Sequence, residues 1–139
     1  MRYSWRAANG AVVCLLTLGA ASASAHADPS GVVIAVVQAA HVDGQTGKMI
    51  LAQAAPVYSG DHITTDAAGL VQVKFRDDTK LVIGPNAMMV IDAFVFSGKY
   101  TARQISINAV RGAFRFITGN SAKDAYSITT PTATIAVRG

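Results

Sequence analysis

LVQVKFRDDTKLVI, residues 70–83, decides the fold. Val71, Val73 and Phe75 alternate with Gln72, Lys74 and Arg76. Successive side chains of a strand point to opposite faces, so this two-residue period describes a strand with one buried and one wet face. Asp77-Asp78-Thr79 follows, and short polar side chains there bond their own backbone and turn the chain. Residues 80–83 return as a second strand, which makes the whole stretch a β-hairpin.

The same grammar runs outward in both directions. Gly84-Pro85-Asn86 punctuates the chain, and MMVIDAFVF (88–96) reads as a longer apolar strand that ends at the turn Ser97-Gly98-Lys99. QISINAV (104–110) sets Ile105, Ile107 and Ala109 against Ser106 and Asn108. The alternation changes phase at Arg111-Gly112, where a glycine permits a turn or bulge. Phe114 and Phe116 then share a face opposite Arg115. Residues 119–124 form a polar loop, and AYSITT (125–130) and ATIAV (133–137) are two last strands. Pro131 separates them because it has no N–H to give a ladder. Upstream, HITT (62–65) lies between the turns Gly60-Asp61 and 66–69, and residues 43–47 hold a turn with two glycines. GVVIAVVQAAHV (31–42) is almost continuously apolar and β-branched, as in a strand buried on both faces. A strand every 8 to 12 residues or so predicts an all-β, antiparallel, sandwich-like domain. A short β-solenoid is the alternative, ranked second because the corners show no exact period.

The first 27 residues stand apart. Arg2 and Arg6 precede an apolar run from Gly10 to Ala21, and small residues follow it. These are the regions of a cleavable signal peptide, with Ala25-His26-Ala27 placing cleavage after Ala27 and Ala23-Ser24-Ala25 offering a second site. The run is about 12 residues, short of the roughly 20 that span a bilayer. The single cysteine, Cys14, falls inside it. The remaining 28–139 domain has no cysteine, which excludes disulfides, thiol catalysis and cysteine-ligated zinc there. The formal charge of +4 includes Arg2 and Arg6. The other cations are scattered among aspartates, a pattern that does not suit nucleic acid. No segment after residue 27 is apolar for long enough to be a transmembrane helix.

Chemistry is sparse. His41, His62, Asp61 and Asp66 are the residues from which an acid–base pair or metal site could be drawn, but neighbours on a strand diverge, and metal ligands must converge from several segments. The plainer expectation puts Asp61 in a turn and His62 on the surface. Asp77-Asp78 lacks the ligand count of a calcium loop. No Gly-x-Ser-x-Gly elbow is present, and no helix pattern follows Gly84-Pro85-Asn86 to make a phosphate loop. Phe94, Phe96, Tyr100, Phe114, Phe116 and Tyr126 are placed as strand residues, mostly in the core or in cross-strand pairs. The expectation is no catalytic residue, no metal and no cofactor.

Taken in order, these pieces resemble the FecR-type domain. The resemblance rests on Gly60, Asp61, Ile63 and Thr65, the alternating strand 71–75, Asp77-Asp78, the strand 81–83, Pro85 and the strand 89–91. It continues through INAVRGAFRFIT with Gly112, and through Thr130-Pro131, the strand 133–137 and Arg138-Gly139. It spans about residues 31–139. In that family the glycine of the last motif is followed by a further strand, so the resemblance implies that the chain stops inside a motif and is a fragment or truncated product. The best-known members are periplasmic sensors that relay receptor occupancy to a sigma factor through a cytoplasmic segment and one membrane helix. A leader peptide in place of that segment puts direct sigma-factor control in doubt. What the resemblance implies is an exported, non-enzymatic β module, periplasmic or secreted, that binds an envelope protein and takes part in signalling. β-Augmentation at the edge strand 133–137 is its nominated mode. The alternative is a structural or adhesive module that binds envelope polysaccharide through exposed aromatic rings. A secreted enzyme ranks last. The identity of the partner and the oligomeric state are not legible.

Overall fold

A computed structural model describes residues 28–45, 47–131 and 134–136. The expected leader, residues 1–27 with its two cleavage sites, and the motif residues Arg138 and Gly139 lie outside these. Twelve strands and one short 3-10 helix follow in chain order: β1 (Gly31–Val37), β2 (Ala40–Gly44), β3 (Gly47–Ile50), β4 (Pro56–Val57), β5 (His62–Thr65), β6 (Leu70–Phe75), β7 (Lys80–Ile83), β8 (Met88–Phe96), β9 (Ala102–Arg111), β10 (Phe114–Ile117), the helix Lys123–Ala125, β11 (Tyr126–Thr129) and β12 (Thr134–Ala136). They form a five-stranded sheet, β10-β7-β6-β1-β4, and a seven-stranded sheet, β12-β11-β9-β8-β5-β2-β3. Pairing is antiparallel except between β9 and β11, which run parallel. Among the described residues, no helix is long and apolar enough to cross a membrane.

The alternation in 70–83 becomes the core. β6 pairs with β7 from Val71–Ile83 to Lys74–Lys80. Val71, Val73, Phe75, Leu81 and Ile83 are all within 1% of full burial. They meet Ile63, Met89, Ile91, Ile105 and Ile107 of the other sheet in one continuous core. Two aromatic contacts cross between the sheets. Phe75 stacks on Phe94 at 5.6 Å, and the edge of Tyr126 meets Phe116 at 5.6 Å. This is the expected sandwich-like arrangement of short strands. The phase change at Gly112 is also present. Its φ is +85°, which lets β9 and β10 enter different sheets.

Three expectations need correction. Residues 31–42 are not one strand buried on both faces. Gln38, at φ 60°, breaks the run into β1 and β2, which belong to opposite sheets. Each then buries only alternate residues, leaving Val32 and Val37 exposed. Apolar composition alone does not distinguish one doubly buried strand from two half-buried ones. Tyr100 is not a strand residue but lies in the β8–β9 turn, 62% exposed. The 119–124 stretch is polar and mostly exposed as expected but is not all loop, because its end enters the 3-10 helix Lys123–Ala125.

Candidate functional site

Asp77, in the hairpin turn, is fully buried and is the hub of a polar cluster. Its Oδ1 accepts from the Thr79 amide at 3.0 Å. Its Oδ2 accepts from the hydroxyls of Thr79 (2.8 Å), Ser121 (2.7 Å) and Tyr126 (2.8 Å). Ser121 in turn receives the Ala102 amide at 2.7 Å, and Tyr126 Oη receives the Gly119 amide at 3.0 Å. Burial pushes the Asp77 carboxyl up, but the bonds from Ser121, Thr79 and Tyr126 outweigh it and hold the pKa below the ordinary value. Gly119 is tied to the same place, because a Cβ there would run into Asp77 O and the Thr79 amide. The cluster joins the β6–β7 turn to the start of β9, to the 119–121 loop and to β11. Asp77 is thus a buried structural carboxylate that accepts four protein donors, three of them on Oδ2. Asp78 points outward, paired with Lys74 Nζ at 3.2 Å and with Asn120 Nδ2 at 3.1 Å.

A second buried carboxylate sits at the Gly60-Asp61 turn. Asp61 is 2% exposed. Its Oδ2 accepts from the Tyr58 amide at 2.9 Å, while among the described residues Oδ1 has no hydrogen-bond partner. The Gln45 amide lies near enough to favour the charge, though outside hydrogen-bonding geometry. Burial dominates over the Tyr58 and Gln45 amides and His62, and raises the Asp61 pKa above the ordinary value. Asp61 therefore occupies the expected turn but is a buried group, while His62 is exposed as expected.

The remaining motif residues build corners. Thr65 is buried, and its hydroxyl donates to Gly84 O at 2.6 Å and accepts the Ala87 amide at 3.0 Å. It thereby clamps the turn that carries Pro85, itself exposed. The Gly60 amide donates to Ile91 O at 2.6 Å. Thr130 is half-buried and Pro131 exposed. Asp61, Thr65 and Asp77 thus each secure a different turn rather than converging. Among the described residues, no three His, Cys, Asp or Glu side chains are close enough to hold a metal. The Thr79 amide bond to Asp77 follows from the expected turn, whereas Ser121, Tyr126 and Gly119 were not legible as parts of the cluster. Their one signal is a pair of buried-type polar residues following an aspartate turn at long range, which no local pattern encodes.

Two features face outward. One is the edge of the larger sheet at β3. It pairs with β2 on one side, from His41–Ile50 to Gly44–Gly47, and, among the described residues, with no strand on the other. All four of its residues are exposed, Met49 at 45% and Ile50 at 73%. Of the nominated last strand, 133–137, the described residues Thr134–Ala136 form β12, at the opposite edge of the same sheet, while 133 and 137 lie outside the described residues. The second feature is a groove beside Arg76 and Tyr100.

A profile for the family described as "FecR protein" matches residues 61–139. No curated protein matches. A solved chain titled "Cell surface anchoring domain" is similar at 24% identity and a TM-score of 0.42, over 45% of this chain and 83% of that one.

Proposed function

The chain belongs to the FecR protein family, and from that premise we propose that it is an exported, non-enzymatic module of the bacterial envelope that binds a protein partner and serves signalling. Family membership supports the envelope location. The single observation that carries protein binding is β3. Its outer N–H and C=O groups form a ready template for an extended chain. Met49 lies opposite Val42 on the core side and Ile50 opposite His41 on the outer side, so a docking strand finds an apolar contact on each face. Natural edges are commonly blunted by charge or proline, and β3 carries only Lys48. β3 is the edge nominated first, because two exposed apolar side chains flank its open ladder. The non-enzymatic reading draws support from the carboxylates: Asp77 is buried and held by four donors, and Asp61 is buried in a turn.

The test is photo-crosslinking in the native cell, with a benzophenone amino acid at position 49 or 50 and at exposed Arg103 as control. The expected result is a discrete envelope protein captured from 49 and 50, lost when the neighbouring position carries Met49→Lys or Ile50→Lys. Capture from position 103 alone, or none at all, overturns the β3 reading.

A further inference from the structure

Asp28 and Pro29, the adjoining ends of β1 and β6, and the β8–β9 turn enclose an open groove of about 640 Å³. That volume is within the range of small-ligand sites. Three cations, Lys74, Arg76 and Lys99, two carboxylates, Asp28 and Asp78, and the ring of Tyr100 line it, so the cations exceed the carboxylates by one. The Arg76 guanidinium lies 4.1 Å over the Phe96 ring, which holds its plane without using its N–H donors. Among the described residues its one ion contact is with Asp28 at 3.9 Å, beyond hydrogen-bonding distance, and that side chain is 80% exposed. Lys74 is paired with Asp78. Lys99 Nζ sits 5.4 Å from the Tyr100 ring centre and, among the described residues, has no carboxylate within ion-pair distance. The groove therefore holds one preorganised guanidinium and one unpaired ammonium around an exposed aromatic face.

We infer that this groove binds an anionic saccharide, a sugar chain bearing carboxylates of the uronate type. The planar fork of Arg76 matches a carboxylate in two-point geometry, and Lys99 adds a second charge. The Tyr100 ring offers its π face to the C–H face of a sugar, while the open groove leaves the hydroxyls in water. An acidic peptide fits less well. The floor strands are paired on both sides, β1 between β4 and β6, and β6 between β1 and β7. No free ladder remains there for a peptide main chain, so recognition rests on side chains alone. The floor of the groove belongs to the five-stranded sheet and none of its lining residues lies in β3, so it stands independently of the proposed partner edge.

The experiment is an NMR titration of the isotopically labelled exported protein with hexagalacturonate. Maltohexaose serves as the neutral control and hexaglutamate as the acidic peptide. The expected result is shifts confined to residues 28–32, 74–78 and 96–101, with binding that weakens as salt rises. Tyr100→Ala and Arg76→Gln should each weaken binding roughly tenfold, and maltohexaose should bind at least about tenfold less tightly. Tyr100 is exposed, so its variant should keep the wild-type melting temperature even if Arg76→Gln does not. Ile50→Lys should bind the saccharide like the wild type. Equal affinity for hexaglutamate, shifts elsewhere, an unaffected Tyr100→Ala, or no binding to hexagalacturonate would each overturn the inference.

Discussion

Tyr126 Oη donates to Asp77 Oδ2 at 2.8 Å, linking a hairpin turn to a strand 49 residues later in the chain. Both groups are buried. Asp77→Ala should lower stability by roughly 3 kcal/mol, since it leaves the buried hydroxyls of Ser121 and Tyr126 without their acceptor. Tyr126→Phe should cost about 1 kcal/mol. The double variant should fall short of the sum by more than about 0.5 kcal/mol, because the two share one bond. Urea denaturation measures all three, and strict additivity would show that the bond carries no coupling.

Acid should act through the same carboxylate. Asp77 titrates below its ordinary value in the fold, so its contribution is present above the unfolded value, about 3.9. It disappears as pH falls through the lower folded value. The stability gap between wild type and Asp77→Ala should therefore be widest near neutrality and narrow below about pH 4. A gap constant from pH 7 to pH 2 would contradict the assigned network.

Asp61 has the opposite sign. Its folded pKa is raised, so the fold favours the protonated form. That contribution is present below the ordinary value and lost as pH rises through the raised one. At neutral pH the charged carboxylate is a cost, because Oδ1 is buried without a partner. Asp61→Asn keeps the acceptor for Tyr58 and removes the charge. It should match or exceed wild-type stability at pH 7, with the advantage shrinking toward pH 3. Thermal melts at the two pH values test this, and a larger loss at pH 7 than at pH 3 would refute it.

Gly112 combines a φ of +85° with a tight contact. A Cβ built there would lie 2.5 Å from Ala87 Cβ and 2.6 Å from Ala87 Cα. Gly112→Ala should cost roughly 2 kcal/mol or more from the left-handed backbone and the clash together. Ala87→Gly should recover part of that loss by removing one of the two contacts. A tolerated Gly112→Ala, read by its denaturation midpoint, would mean that the β9–β10 corner relaxes freely.

Much of this fold was legible locally. The 70–83 hairpin, β5, β8, β9 and the Gly112 phase change each announce themselves within a few residues, because a two-residue period and a turn residue are local properties. Residues 31–42 were misread for the same reason, since β1 and β2 are distinguished by which sheet each joins. β3 and β4 are short and carry no alternation long enough to read. The groove combines residues from the 28–32, 74–78 and 96–100 stretches, and no spacing rule connects them.

By itself the sequence determined the strand-rich character, the turns and the family pattern, because these follow from periodicity and from backbone preferences of single residues. The tertiary structure alone decided that Asp77 is a buried hub and that Asp61 is a buried carboxylate with one oxygen unpartnered among the described residues. It also decided that β3 is an edge and that Arg76, Lys99 and Tyr100 share a groove. Those properties depend on desolvation and on contacts between segments far apart in the chain, and both exist only once the two sheets have closed on each other.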